Sequence, residues 1–173
     1  VCLLGFAFYY FGAELWTDRL STIQDANEDA SFMGRVAAWK VSSAIALSHP
    51  IFGAGFHAVQ VNAIWDIFKY SPGLLGFLDL PVPTFSAKAA HSIYFEVMGD
   101  MGFVGLFLFV TILLQSIHSR LAIKRMVNAM GGTRLFWARD MGDMLMLSVI
   151  AYMVGGAAVS LGYFEVIYMV IML

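Results

Sequence analysis

The sequence predicts an all-α integral membrane protein with several spans and one long, partly helical segment outside the bilayer. Three observations carry this. Hydrophobic residues make up 60% of the 173 and charged residues 13%, against about 45–50% and 25% in a soluble domain; mean hydropathy is +0.77. Residues 101 to 117 form an apolar run interrupted only by Thr111, Gln115 and Ser116. Arg120, Lys124, Arg125, Arg134 and Arg139 then crowd the short stretch that follows, the sign of a cytoplasmic loop. The formal net charge of −2 argues against nucleic acid as a partner. The one cysteine, Cys2, allows no disulfide within the chain.

Residues 1 to 13 are apolar and supply about 20 Å of helix, the end of a span rather than a whole one. They carry no initiator Met and no positive flank, so they do not read as a signal peptide. Glu14 and Trp16 mark the exit at the interface. Residues 14 to 91 form the segment outside the bilayer. It is first polar, with Asp18, Arg19, Asp25, Glu28 and Asp29, and then amphipathic. Ser31 can cap a helix in which Met33, Val36, Ala37, Val41, Ala44 and Leu47 recur at three- and four-residue spacing. His49 before Pro50 ends it. Arg35 and Trp39 share a face of that helix. Gly53 and Gly55 predict a tight turn or a close backbone approach. A second amphipathic helix is expected over 59–70. A loop carrying Pro72, Pro81 and Pro83 follows over 71–90.

Residues 92 to 118 are read as a transmembrane helix and 119 to 143 as the basic cytoplasmic loop. Residues 144 to 162 are a second such helix, whose Gly155-Gly156 pair lets a neighbour approach closely. Glu165 opens a further apolar run, so 163 to 173 start a third, truncated helix. Since 14–90 holds five Lys/Arg (19, 35, 40, 69, 88) against seven Asp/Glu, its basic residues are dilute. That puts it across the membrane from the basic loop, in a bacterium the periplasm. Both ends read as cut from a longer multi-span protein.

His91 opens the apolar helix at the water interface, where an enzyme acting on a membrane-anchored substrate would keep its base; a cap on the following helix is the plainer reading. Arg35 suits a phosphate or diphosphate, or else snorkels or pairs with Asp29. Glu96 and Asp100, four apart, share a face just past His91 and could orient an imidazole or hold an acceptor sugar. His49, His57 and His118 are weaker candidates. No metal-ligand spacing, no Asp-x-Asp pair and no Gly-x-Ser-x-Gly elbow occurs.

Four stretches together resemble a known family. They are Thr22-Ile-Gln-Asp followed by Glu28-Asp29-Ala-Ser, Gly34-Arg35 and Trp39; His49-Pro50-Ile-Phe-Gly53-Ala-Gly55-Phe56; Ala90-His91-Ser92-Ile-Tyr94-Phe-Glu96-Val-Met-Gly99-Asp100-Met-Gly102; and Tyr152 to Phe164 with its Gly155-Gly156 pair. The chain resembles the C-terminal half of the O-antigen ligase family, and within it the O-glycosylation ligases that accompany exosortase systems. The resemblance implies a polytopic inner-membrane glycosyltransferase of the C type with its active site facing the periplasm. Such enzymes move a glycan from undecaprenyl diphosphate to an acceptor hydroxyl on the lipid A core, on a protein or on another glycan. They use no metal, no nucleotide and no cofactor, and a one-step displacement inverts the anomeric carbon. It implies His91 as the base and Arg35 as a ligand of the lipid diphosphate, with Tyr94, Glu96 and Asp100 as supporting residues. It also implies a further arginine upstream of Val1, without which this stretch alone should be inactive.

Three other readings compete. A polysaccharide polymerase of the same superfamily would use the same donor and a lipid-linked glycan as acceptor. A transporter for the lipid-linked glycan would show midplane charges or broken helices in paired repeats; here the charges cluster at the interfaces. A structural membrane subunit would keep glycan transfer unchanged on loss of His91.

Overall fold

The computed structural model describes residues 30–79, 81–129 and 135–172. Among them every regular element is helical. The expected span end at 1–13, the polar stretch 14–29, and the loop positions 130–134 with Arg134 lie outside these residues.

The helices are α1 (Ala30–Ser48), α2 (Asn62–Phe68), α3 (Ile93–Ala129), α4 (Phe136–Gly155) and α5 (Glu165–Met172), with short 3-10 turns at Ala58–Gln60, Val82–Thr84 and Gly156–Ala158. α1 begins one residue before Ser31 and stops before His49-Pro50, as the proline requires. α2 is shorter than the expected 59–70. Residues 58–60 turn separately, and Val61 at φ −90°, ψ 115° breaks the two apart. Trp65 is buried on one side of α2. Asp66 and Lys69 form an exposed 2.7 Å pair on the other, and that hydrogen bond raises the lysine pKa.

Two cores result. Ala37, Ala38, Val41 and Ile45 of α1 pack against Val59, Trp65 and Val82. The Trp65 indole donates to Phe85 O at 2.9 Å, which fastens the proline-bearing loop to α2. The second core joins Ile93, Val97, Phe109 and Leu113 of α3 to Val149 of α4 and Ile167 of α5. Gly99 lets α3 approach α1: a Cβ there would lie 3.3 Å from Ser42. Gly156 does the same for Ile93, whose Cδ1 stands 2.6 Å from where a Cβ would be, so the expected close approach occurs at Gly156.

α3 departs from the expected 92–118. It runs to Ala129, eleven residues further, because Leu121, Ala122, Lys124 and Arg125 favour helix. α4 likewise begins at Phe136 and not at 144. Arg120, Lys124, Arg125, Arg139, Asp140 and Asp143 therefore stand on helices rather than in a loop, and Lys124 pairs with Asp143 at 2.8 Å, tying α3 to α4. α3 is also broken near its start. Gly102 has φ 70°, ψ −170°, far outside helical values.

Ile93–Ala129 and Phe136–Ala158 are each long and apolar enough to cross a bilayer. The apolar side chains of α4 point outward: Met144, Leu147 and Val154 are all more than 60% exposed. A helix that offers water this much apolar surface is matched to lipid.

Candidate active site at the head of α3

Two loops converge on the start of α3. The first is 50–58. Its backbone completes the broken helix: Ala54 N donates to Gly99 O at 3.1 Å and Gly55 N to Asp100 O at 3.0 Å, while Phe103 N and Val104 N donate to Pro50 O at 2.8 and 3.4 Å. The break at Gly102 would leave these carbonyls and amides unpaired, and the loop supplies their partners. This is the close approach expected of Gly53 and Gly55. Gly53 has φ 61°, and a Cβ there would sit 2.5 Å from the Asp100 carbonyl. Gly55, φ 94°, faces open space and is needed for its backbone angle alone.

The second feature of that loop is its grip on Asp100. The carboxylate accepts from His57 N at 2.7 Å and Ala58 N at 3.0 Å. His57 has φ 55° and His91 has φ 46°; they are the two non-glycine residues with positive φ among the described residues. A non-glycine residue there costs energy and is held by its surroundings. At His57 the holder is the Asp100 carboxylate.

The second loop is 159–164, after α4. Tyr163 OH donates to Asp100 Oδ2 at 2.9 Å, Gly162 N donates to Glu96 Oε2 at 3.1 Å, and His91 N donates to Ser160 Oγ at 2.8 Å. Glu96 and Asp100, four apart on α3 as expected, are both almost fully buried. The imidazole against Glu96 is that of His57, with Nδ1 3.7 Å from Oε1 and 3.1 Å from Gln60 Nε2. Its ring also meets Tyr163 edge to face at 5.9 Å, as Phe56 does at 5.0 Å. His91 is exposed. Tyr94, expected to support it, turns to α4 and donates to Met153 O at 2.9 Å.

Arg35 is half-buried on α1 and makes no hydrogen bond or ion pair with any of the described residues. One turn on, the Trp39 indole donates to Ala90 O at 2.5 Å and stacks on Phe95 at 5.1 Å. The face that carries Arg35 is thus held beside the residue preceding His91. An apolar groove of about 510 Å³ is lined by Met33, Val36 and Trp39 of α1, the helix that carries Arg35, with Leu75 and Leu78 of the loop and Phe95 of α3.

Chemically, this region offers an exposed imidazole, a guanidinium without a partner among the described residues, an apolar groove along the same helix, and two buried carboxylates that fasten loops. A family model described as O-antigen ligase matches residues 1–110, which contain all of these except the loop 159–164. The chain belongs to the O-antigen ligase family. Family membership and the two long apolar helices make it a membrane protein of the ligase and polymerase type of glycosyltransferase. No curated protein and no solved structure matches the O-antigen ligase chain.

His57 is only a weak candidate from the sequence, and Tyr163 is not singled out by it. For Tyr163 the available signal is its place in the last of the four family stretches.

Proposed function

We propose that the protein transfers a glycan from undecaprenyl diphosphate to an acceptor hydroxyl on the periplasmic face of the bacterial inner membrane, with inversion and without metal. His91 takes the proton of the attacking hydroxyl. Arg35 binds the diphosphate and stabilises the negative charge that grows on it as the glycosidic bond breaks. The polyprenyl chain lies in the apolar groove along the helix that carries Arg35. Glu96 and Asp100 hold the surrounding loops and do not touch the reacting atoms. The acceptor is a lipid A core, a protein or another glycan. Glu28-Asp29-Ala30-Ser31 and Tyr94-Phe95-Glu96-Val97 support the exosortase-associated O-glycosylation branch over a polymerase.

The observation that carries the reading is the Trp39 to Ala90 hydrogen bond. It keeps the helix bearing the Arg35 guanidinium alongside the segment bearing an exposed imidazole, the two groups that the chemistry needs at one mouth.

The test is His91→Ala in the full-length protein, expressed in a strain lacking its own copy. Glycan on the acceptor fraction and lipid-linked glycan in the membrane are measured together. Loss of the first with build-up of the second, at normal protein level, is expected; removing a general base costs about 10²- to 10⁴-fold in rate. Transfer at the wild-type rate would sink the role of His91 and move the transporter and structural readings ahead.

A further inference from the structure

We propose that Lys88 is a second cation for the lipid diphosphate, facing the same anion as Arg35. The inference rests on the donor reading above.

Lys88 lies across α1 at Gly34. A Cβ at Gly34 would come within 2.9 Å of the lysine Nζ and 3.0 Å of its Cδ. The bare backbone at Gly34 is what lets the lysine chain lie flat on the helix, at the residue that precedes Arg35. The chain direction reinforces this. Segment 88–90 runs along α1 from Gly34, where Lys88 rests, to Trp39, which holds Ala90 O. Arg35 lies between these two contacts.

Among the described residues neither cation is compensated. Lys88 has no carboxylate or hydrogen-bond partner among the described residues. Its nearest stabilising contact is the Phe85 ring, 5.5 Å from the amine. Arg35 has none either. Both are half-buried. Two cations brought to adjacent positions of one helix repel each other, and a shared anion removes the repulsion. A diphosphate divides its charge between two phosphoryl groups. It suits one planar guanidinium that bonds two oxygens and one ammonium that acts as a point charge. A monophosphate needs only one of them. Lys88 is also three residues before His91, so its amine stands on the strand of chain that leads to the proposed base.

The experiment measures binding of undecaprenyl diphosphate and of undecaprenyl monophosphate to the full-length protein in nanodiscs, by native mass spectrometry. The variants are Lys88→Met, Lys88→Arg, Gly34→Ala and Arg35→Met, all checked for an unchanged melting temperature. Lys88→Met is expected to weaken the diphosphate about tenfold and the monophosphate much less, since one charge-assisted contact is lost. Lys88→Arg should keep most of the affinity. Gly34→Ala should give a smaller loss, because a methyl pushes the amine off the helix while the flexible chain spares the fold. If Lys88→Met binds the diphosphate like wild type while Arg35→Met is weakened, Lys88 is not a ligand and the donor reading stands. Equal weakening of both lipids by Lys88→Met would also overturn the inference, since the lysine would then serve packing. If wild type does not prefer the diphosphate, or neither variant changes binding, the donor reading falls and takes this one with it.

Discussion

The Tyr163 hydroxyl donates to the Asp100 carboxylate at 2.9 Å, across 63 positions of sequence. The same carboxylate holds the backbone amides of His57 and Ala58. One side chain therefore fastens α3 to two loops. Asp100→Ala leaves the Tyr163 phenol and the His57 amide without a partner, each a loss of about 1 kcal/mol or more, while the Ala58 amide keeps its bond to Gly55 O. We expect a destabilisation of about 2 kcal/mol or more, and about 1 kcal/mol for Tyr163→Phe, which removes only the hydroxyl. The double variant should fall short of the sum, since both changes delete one shared bond. Thermal unfolding in detergent checks this; additive effects would mean that the tyrosine bond contributes nothing through Asp100.

Four glycines should respond to alanine in a set order. Gly102→Ala and Gly53→Ala combine a positive φ with a Cβ 2.6 Å from Pro50 O or 2.5 Å from the Asp100 carbonyl. Neither obstacle is a flexible side chain, so each should cost about 3 kcal/mol or more. Gly55→Ala meets open space and should cost about 1 kcal/mol for its backbone angle alone. Gly142→Ala, inside α4 with nothing within 4 Å, should stabilise by up to about 1 kcal/mol. The ranking of melting temperatures decides. A mild Gly102→Ala would mean that the helix break is not fixed by the docked loop.

Trp39→Phe keeps a ring to stack on Phe95 and removes the donor to Ala90 O. The expected loss of stability is about 1 kcal/mol. The larger effect should be on turnover, because the bond positions the segment that ends in His91. Transfer assays over a range of donor concentrations should show a fall in maximal rate exceeding any change in the donor concentration at half-maximal rate. A change in donor affinity alone would assign Trp39 to the groove instead.

Much of this was readable in the chain because it depends on local chemistry. Pro50 ends α1, the i, i+4 spacing puts Glu96 and Asp100 together, and two glycines two apart announce a close approach. What they approach was not readable. The partner is a break in a helix near residue 102, and only the fold brings residues 50–55 to it. The same holds for Glu96, which faces the imidazole of His57 although His91 is nearer in sequence. Helix ends were misjudged where an apolar run was equated with a helix. The run stops at 117, but backbone hydrogen bonding in α3 continues through the charged residues to Ala129. Lys88 is visible only because a glycine on another element makes room for it.

The kink at Gly102 has a mechanical meaning. Glycine breaks in long helices often serve as joints that let the two halves swing. This one is bonded from both sides by the loop 50–55, through two carbonyls before the break and two amides after it. It is a corner brace rather than a joint. Any tilt that the surrounding lipid imposes on the long lower arm of α3 must carry the short upper arm, with Glu96 and Asp100, along as a single lever. Bilayer thickness thereby becomes a direct input to the orientation of the two loops gathered at that corner.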